Sequence, residues 1–307
     1  MNRTRACSFY CRFHTICVKR INVMLFRKIS FTAWIFFSLC TLWPAMGKAD
    51  EASVLPHFFD AQERLNHPNL GTLSRLRFLT TVDFPPFNFV DRTGRLSGYN
   101  IDLLRAICTE LKLQQVCEVE ALPWDELVSH INNHQGEAII AGMNETPETT
   151  KSLIFTQSYL RFPARFVSSG NIALTEPVEK DLKKYKIGIV HKSAHEALFA
   201  AYFPDVKWQP FENDESLREA LKAKTIDLAF GDGMGFSQWL NDPQSENCCR
   251  FVGDAYIAPQ FLQSGLRIAV QKDNPQLVDA LNYALKSLER KGKLTELYLR
   301  YFPIGFY

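Results

Sequence analysis

The chain has 307 residues, with 46% hydrophobic and 22% charged side chains, enough apolar material for two modest cores and ordinary for a globular protein. Its formal charge of +2 is misleading, because eight of the 35 bases and none of the 33 acids fall in the first 49 residues. The remaining 27 bases against 33 acids make the rest acidic, which argues against a nucleic-acid binder with its basic face.

The N-terminal excess reads as a targeting segment. Arg27 and Lys28 precede an apolar run from Ile29 to Trp43, followed by Pro44 and a small-residue stretch ending at Ala49. A basic flank, a short apolar run and a Gly-x-Ala end predict a secretory signal peptide over residues 1–49, with Met24 as the true start. The run falls short of the roughly 20 residues that span a bilayer. Leu39 before Cys40 is not the small residue a lipoprotein site needs. Export places the mature chain in the periplasm.

Residues 50–74 are polar and irregular. Arg77 to Val82 is a β-branched strand, followed by the turn-rich Asp83-Phe-Pro-Pro-Phe-Asn88 and a hairpin signal at Asp91-Arg-Thr-Gly94. Ile101, Leu104, Ile107, Cys108 and Leu111 share one face of a helix. A strand over Val116 to Leu122, a helix after Pro123 and a buried strand over Glu137 to Gly142 follow. Thr146 then reads as an N-cap with Pro147 at the first helical position.

A second series repeats this order: strand Lys186 to Val190, helix Ala194 to Phe203, strand Trp208 to Phe211, helix Asp214 to Ala223 and strand Ile226 to Phe230. A late strand, Leu266 to Val270, precedes helices over Leu277 to Leu299 that break at Gly292. Alternating strands and helices imply parallel α/β sheets.

Four cysteines remain beyond the leader. Cys108, late in a helix, and Cys117, entering a strand, read as a disulfide in an oxidising compartment. No His or Cys lies near them at metal-ligand spacing. Cys248 and Cys249 are adjacent and receive no assignment.

Ligands of open α/β sheets sit beyond the carboxyl ends of the strands. The candidates there are Phe84, Trp124, the segment Ala141, Gly142, Asn144 and Thr146, then Ser193 and Asp232. Each has a plainer reading: Phe84 as core, Trp124 as packing, and Asn144, Ser193 and Asp232 as turn or cap residues. Glu145 reads as solvated. Histidine spacing gives no metal site, and no nucleophile motif supports catalysis, so no cofactor, metal or catalytic residue is assigned.

Several stretches together resemble a known family: Asp83-Phe-Pro-Pro-Phe-Asn-Phe-Val-Asp91, Gly94 to Leu104, Gly136 to Glu148, Phe155-Thr-Gln-Ser-Tyr159, Leu182 to Val190, Ala220 to Asp232 and Lys291 to Phe302. Each is weak alone, but the ordered set from Arg77 to Phe302 is similar to the family 3 extracellular solute-binding proteins, the polar amino-acid receptors of ABC transporters. The resemblance implies a type II periplasmic binding fold, with two lobes, each a central sheet flanked by helices, joined by two crossover strands. Lobe 1 is expected at 75–166 plus 267–307 and lobe 2 at 167–266.

It also implies roles. Phe84 stacks on the ligand, residues 141–144 bind its carboxylate, Ser193 helps from the second lobe and Asp232 takes the ammonium. The partners implied are a small polar solute and an ABC permease in the inner membrane, the receptor itself being a monomer. The family pattern Thr-Pro-Glu-Arg reads Thr146-Pro147-Glu148-Thr149 here, so its carboxylate-clamping arginine is absent. Arg161, Arg165 and Lys192 are the candidate substitutes. Two other functions fit such a chain: an accessory or sensor protein for a membrane partner, and an enzyme resembling cyclohexadienyl dehydratases.

Overall fold

The computed structural model describes residues 55–307 apart from 61, 65–67, 69, 71 and 72. The segment read as a signal peptide, Met24 included, lies outside the described residues. Among the described residues no helix is long and apolar enough to cross a membrane.

The chain builds its first sheet in instalments. Strand β1 (Leu76–Thr80) leads through a small antiparallel ribbon of β2 (Asp83–Phe84), β3 (Asn88–Val90) and β4 (Leu96–Ser97) into helix α1 (Tyr99–Glu110). Strand β5 (Cys117–Ala121), helix α2 (Leu127–Asn132), β6 (Ala138–Ile139) and β7 (Leu153–Phe155) follow. The chain then crosses to a second sheet with β8 (Ala164–Ser168), α3 (Val178–Leu182), β9 (Ile187–Val190), α4 (Ala194–Tyr202), β10 (Gln209–Phe211), α5 (Asp214–Lys222), β11 (Leu228–Asp232), α6 (Gly233–Asn241) and β12 (Arg250–Tyr256). It returns through β13 (Ala269–Gln271) and ends with α7 (Pro275–Arg290) and α8 (Lys293–Tyr301).

The strand orders are β5-β1-β6-β13-β7 and β10-β9-β11-β8-β12. In the first sheet β5, β1 and β6 run parallel, while β13 pairs antiparallel with both β6 and β7. In the second, β10, β9 and β11 run parallel and β8 is antiparallel to β11 and β12. This is the two-lobed α/β architecture of type II periplasmic binding proteins.

Both faces of each sheet are covered, as parallel strands require. On one face of the first, Leu76, Phe78, Ala138, Ile140, Ile268 and Val270 pack against α1, α7 and α8. On the other, Leu79, Ile139, Leu153 and Ala269 meet Leu127 and Ile131 of α2. The second sheet repeats the pattern: Phe166, Ile187, Ile189, Leu228 and Phe230 pack on Leu198 and Phe199, and Val167 and Ala229 on Leu217, Leu221 and Phe236. Leu55 and Phe59, in the irregular N-terminal segment, are buried in the first core, and the Phe58 amide donates to Glu289.

The outgoing and returning crossovers lie side by side. Leu266 donates to the Leu160 carbonyl at 2.7 Å and Tyr159 donates back to Leu266 at 3.0 Å. Gly265 sits at φ +89°, and a Cβ there would fall 2.2 Å from the Leu160 carbonyl oxygen. Only glycine permits so close an approach of the two crossovers.

Several elements differ from their sequence reading. Strand Leu266 to Val270 shrinks to Ala269–Gln271, because residues before it belong to the crossover. The helix placed after Thr146-Pro147 is a single 3-10 turn at Thr149–Lys151. Threonine hydroxyls there bond locally to the backbone and compete with helix continuation. Helix α6 escaped the sequence reading because it opens Gly233-Met-Gly235, where two glycines read as a turn rather than a helix start.

Cys108 and Cys117 are disulfide-bonded, with Cα atoms 6.2 Å apart, and tie α1 to β5 across a short loop. Cys248 and Cys249, left unassigned from sequence, are bonded to each other. Replacing both Cys108 and Cys117 by Ser should lower unfolding free energy by roughly 2–3 kcal/mol, the loop-closure value for a ring this size. Denaturant melts of the oxidised parent and the double variant measure it; equal midpoints would show that the bridge adds nothing.

Candidate functional site

Parallel neighbours put their following loops on one edge. In the first sheet, β1, β5 and β6 send Asp83–Phe84, Leu122–Trp124 and Ile140–Thr146 to the same side. In the second, β9 and β11 send His191–Ser193 and Asp232 to theirs. The candidates therefore group into two sets, one per sheet.

Within the first set, Phe84 stacks on Phe87 with ring centroids 4.7 Å apart. A buried polar chain fixes this loop. Tyr159 donates to Asn100 at 2.8 Å, Asn100 to Asn88 at 2.8 Å, and Asn88 to the Thr81 hydroxyl at 2.8 Å. Gly142 has φ +80°, and a Cβ there would lie 2.7 Å from Phe84 Cε1. The Phe84 ring thus rests directly on the backbone of the loop after β6. Ala141 beside it is buried. Trp124 starts a 3-10 turn and is 50% exposed, free to meet a solute or an opposing surface.

Asn144 and Thr146 are exposed and line a cavity of about 240 Å³ together with Glu145, Pro259, Leu262, Gln263, Ser264, Gly265 and Arg267. Thr149 is committed locally: its hydroxyl accepts from the Thr146 amide at 2.9 Å and donates to the Asn144 carbonyl at 3.0 Å. Glu145, read as solvated from sequence, is instead paired with Arg267 at 2.6 Å. The two are 122 positions apart, so no local pattern could have revealed the pair.

In the second set, Ser193 caps α4, accepting from the Glu196 amide at 3.0 Å and donating to the Val190 carbonyl at 2.7 Å. Asp232 caps α6, its two oxygens accepting from the Met234 and Gly235 amides at 3.1 and 2.9 Å. Burial holds the Asp232 carboxyl above the usual carboxylate range, against the Gly235 amide and the nearby His195. Burial likewise holds His195 below the usual histidine value, against the attraction of Asp232 and Asp214. Desolvation outweighs mutual attraction at both groups.

Of the three cations considered as substitutes, Arg161 and Arg165 each lie over an aromatic ring with Nε buried and unbonded, and the bond at Lys192 is made by its backbone amide. Arg161 lies 5.6 Å over the Phe58 ring and its amide donates to Tyr307. Arg165 is buried, donates to the Gly253 carbonyl at 2.9 Å and lies 4.7 Å over Phe251. Lys192 has φ +56° and its amide donates to Glu196 at 2.7 Å. Among the described residues no group of three or more His, Cys, Asp or Glu is placed to hold a metal ion.

The fold is two-lobed, with polar loops following the parallel strands of each sheet. The chain belongs to family 3 of the bacterial extracellular solute-binding proteins, whose model matches residues 76–304. It is 29% identical over 227 residues to the putative ABC transporter arginine-binding protein 2 of Escherichia coli, covering 74% of this chain and 90% of the relative. It is 24% identical over 241 residues to the histidine-binding periplasmic protein of Salmonella typhimurium, covering 76% of this chain and 89% of that one. The L-cystine solute receptor of Neisseria gonorrhoeae, solved unliganded and open, shares the fold with a TM-score of 0.61 at 19% identity, over 76% of this chain and 94% of that one.

Two outcomes test this local geometry. Gly142→Ala forces a β-carbon into the Phe84 ring at a positive φ and should destabilise the protein by about 1–3 kcal/mol, read by denaturant unfolding. An unchanged midpoint would mean the ring and loop are not in contact. For His195 the sign follows from its depressed value: its contribution is complete above about pH 6.5 and is lost as pH falls below that, because the unfolded chain then takes up the proton first. His195→Gln should therefore flatten the fall in melting temperature between about pH 6.5 and 5.

Proposed function

We propose that this chain is the periplasmic receptor of an ABC transporter, exported by its N-terminal signal peptide, and that it captures an amino acid between its lobes without transforming it. Arginine and other cationic amino acids are the first solutes to test, given the names of its relatives. The observation that carries the reading is the placement of Asp232: a carboxylate at the carboxyl end of β11, in a family of solute-binding proteins. Lobe 1 is taken as roughly 75–163 plus 267–307, in place of the expected 75–166 plus 267–307, and lobe 2 as the middle. Strand β8 pairs wholly in the second sheet, so the outgoing boundary is drawn ahead of Ala164.

The chemistry follows from what each group can offer. Phe84 gives a flat apolar face backed by Gly142. Asn144 and Thr146 give neutral hydrogen-bonding groups on the first lobe, and Trp124 an exposed aromatic. Ser193 and the start of α4 offer polar contacts from the second. Asp232 takes the ammonium group. Its two cap bonds leave lone pairs, since a carboxylate has about four acceptor sites. Closure removes water and strengthens this attraction. Burial raises the Asp232 value, and a docked ammonium would act against that rise by favouring the ionised form. The closed receptor then works as a monomer and presents both lobes to a permease.

A thermal-shift screen of the mature protein against the twenty amino acids, simple amines and carboxylates tests the reading. A solute at a hundred times its Kd stabilises the folded state by about 2.7 kcal/mol. No shift with any amino acid would overturn the proposal, and steady turnover of prephenate would place the protein among dehydratases instead. Asp232→Asn should weaken a bound amino acid by roughly 1.5–3 kcal/mol in calorimetry, the range for a hydrogen bond to a charged group. Equal affinity would reduce Asp232 to a helix cap.

A further inference from the structure

The loop after β6 is poor in positive charge. From Ala141 to Thr149 it holds Glu145 and Glu148 but no base, and Lys151 just beyond is paired with Glu148 at 2.5 Å. A carboxylate brought to Asn144 and Thr146 would meet two acids and several hydroxyls. The cavity beside these residues nevertheless contains a cation, contributed by the returning crossover: Arg267, which lines it together with Gln263, Ser264 and Gly265.

Arg267 is sparsely bonded for a guanidinium. A guanidinium carries five N–H donors. Among the described residues one of them, on Nη1, is bonded, to Glu145 Oε2 at 2.6 Å. Its Nε is buried without a partner, a state shared by Arg161, Arg165 and Arg218; what sets Arg267 apart is its place on the wall of this cavity. The pair is only partly withdrawn from water, with Arg267 25% and Glu145 44% exposed, and such pairs are individually weak. One carboxylate therefore holds a guanidinium loosely at the wall of a cavity sized for a small solute. A second carboxylate, offered in the planar two-oxygen form that guanidinium groups bind best, can displace it.

We propose that Arg267 binds the α-carboxylate of the solute and that Glu145 is its internal counter-ion in the empty protein. This rests on the amino-acid receptor reading above. Position adds a consequence. Arg267 directly follows Leu266, which pairs with Leu160 of the outgoing crossover. Pro259 and Leu262, which also line the cavity, belong to the chain leaving the second sheet, and Leu262 is buried in that sheet's core. A solute held by Arg267 therefore touches the connection between lobes, so carboxylate capture and closure are coupled at one residue.

The test compares an amino acid with its own decarboxylated amine. L-Arginine and agmatine are the first pair, and the same comparison applies to whichever of the twenty amino acids gives the largest thermal shift. The parent should bind the amino acid at least tenfold more tightly than the amine. Arg267→Gln should lose tenfold or more for the amino acid and leave the amine unchanged, while Arg267→Lys should retain part of the preference. Melting curves of the empty variants establish that they are folded. Glu145→Gln, which frees the guanidinium, should bind the amino acid at least as tightly as the parent; weaker binding would overturn the counter-ion role. Unchanged amino-acid affinity in Arg267→Gln, with the parent binding normally, overturns this inference alone. A parent that binds no amino acid overturns the receptor reading, and this inference falls with it.

Discussion

The antiparallel insertion of β13 between β6 and β7 is the constraint on which the rest of the structure depends. Ala269 pairs with Ile139 on one side and Phe155 on the other, joining residues more than a hundred positions apart. Without it β7 has no partner in the first sheet and the two α/β halves would be joined by a single connection. With it the chain must leave the first lobe and come back. The two crossings then lie side by side, held by the bonds between Leu160 and Leu266 and by the close approach at Gly265. A pair of adjacent crossovers permits the lobes to change angle while keeping them in register, which is the mechanical requirement of a clamp.

The site inherits its placement from strand direction. Parallel strands send all their following loops to one edge, so residues as distant in sequence as Phe84, Trp124 and Asn144 share it. Helices α4 and α6 begin at the corresponding edge of the second sheet, capped by Ser193 and Asp232. Capping and solute binding draw on the same property. A side-chain oxygen that satisfies the open amides of a helix start stands where an incoming polar group arrives. At Asp232 two effects oppose each other. Its cap bonds favour the charged form, while burial penalises it more strongly.

How far the sequence carries this protein differs from element to element. The parallel α/β character, the helix face of Ile101, Leu104 and Ile107, the hairpin at Asp91–Gly94 and the break at Gly292 follow from local rules of periodicity and turn chemistry, which act over a few residues. So does the pairing of Cys108 with Cys117, nine positions apart on adjoining elements. Strands β8 and β12 were not legible, because Phe166, Val167 and their neighbours gain their strand identity from partners across the sheet.

The sequence by itself determined the family, the alternation of elements and the set of polar residues that follow strands, because these depend on composition and short-range order. It also showed that Thr149 stands where a base belongs in the family pattern. Only the tertiary structure decided which cation borders the polar loop after β6. Glu145 and Arg267 meet because the returning crossover passes that loop, and the ion pair is a product of chain path rather than of spacing. Interactions that close over 122 positions carry no signal in any local window, whereas caps and turns close over two to four residues and can be read directly.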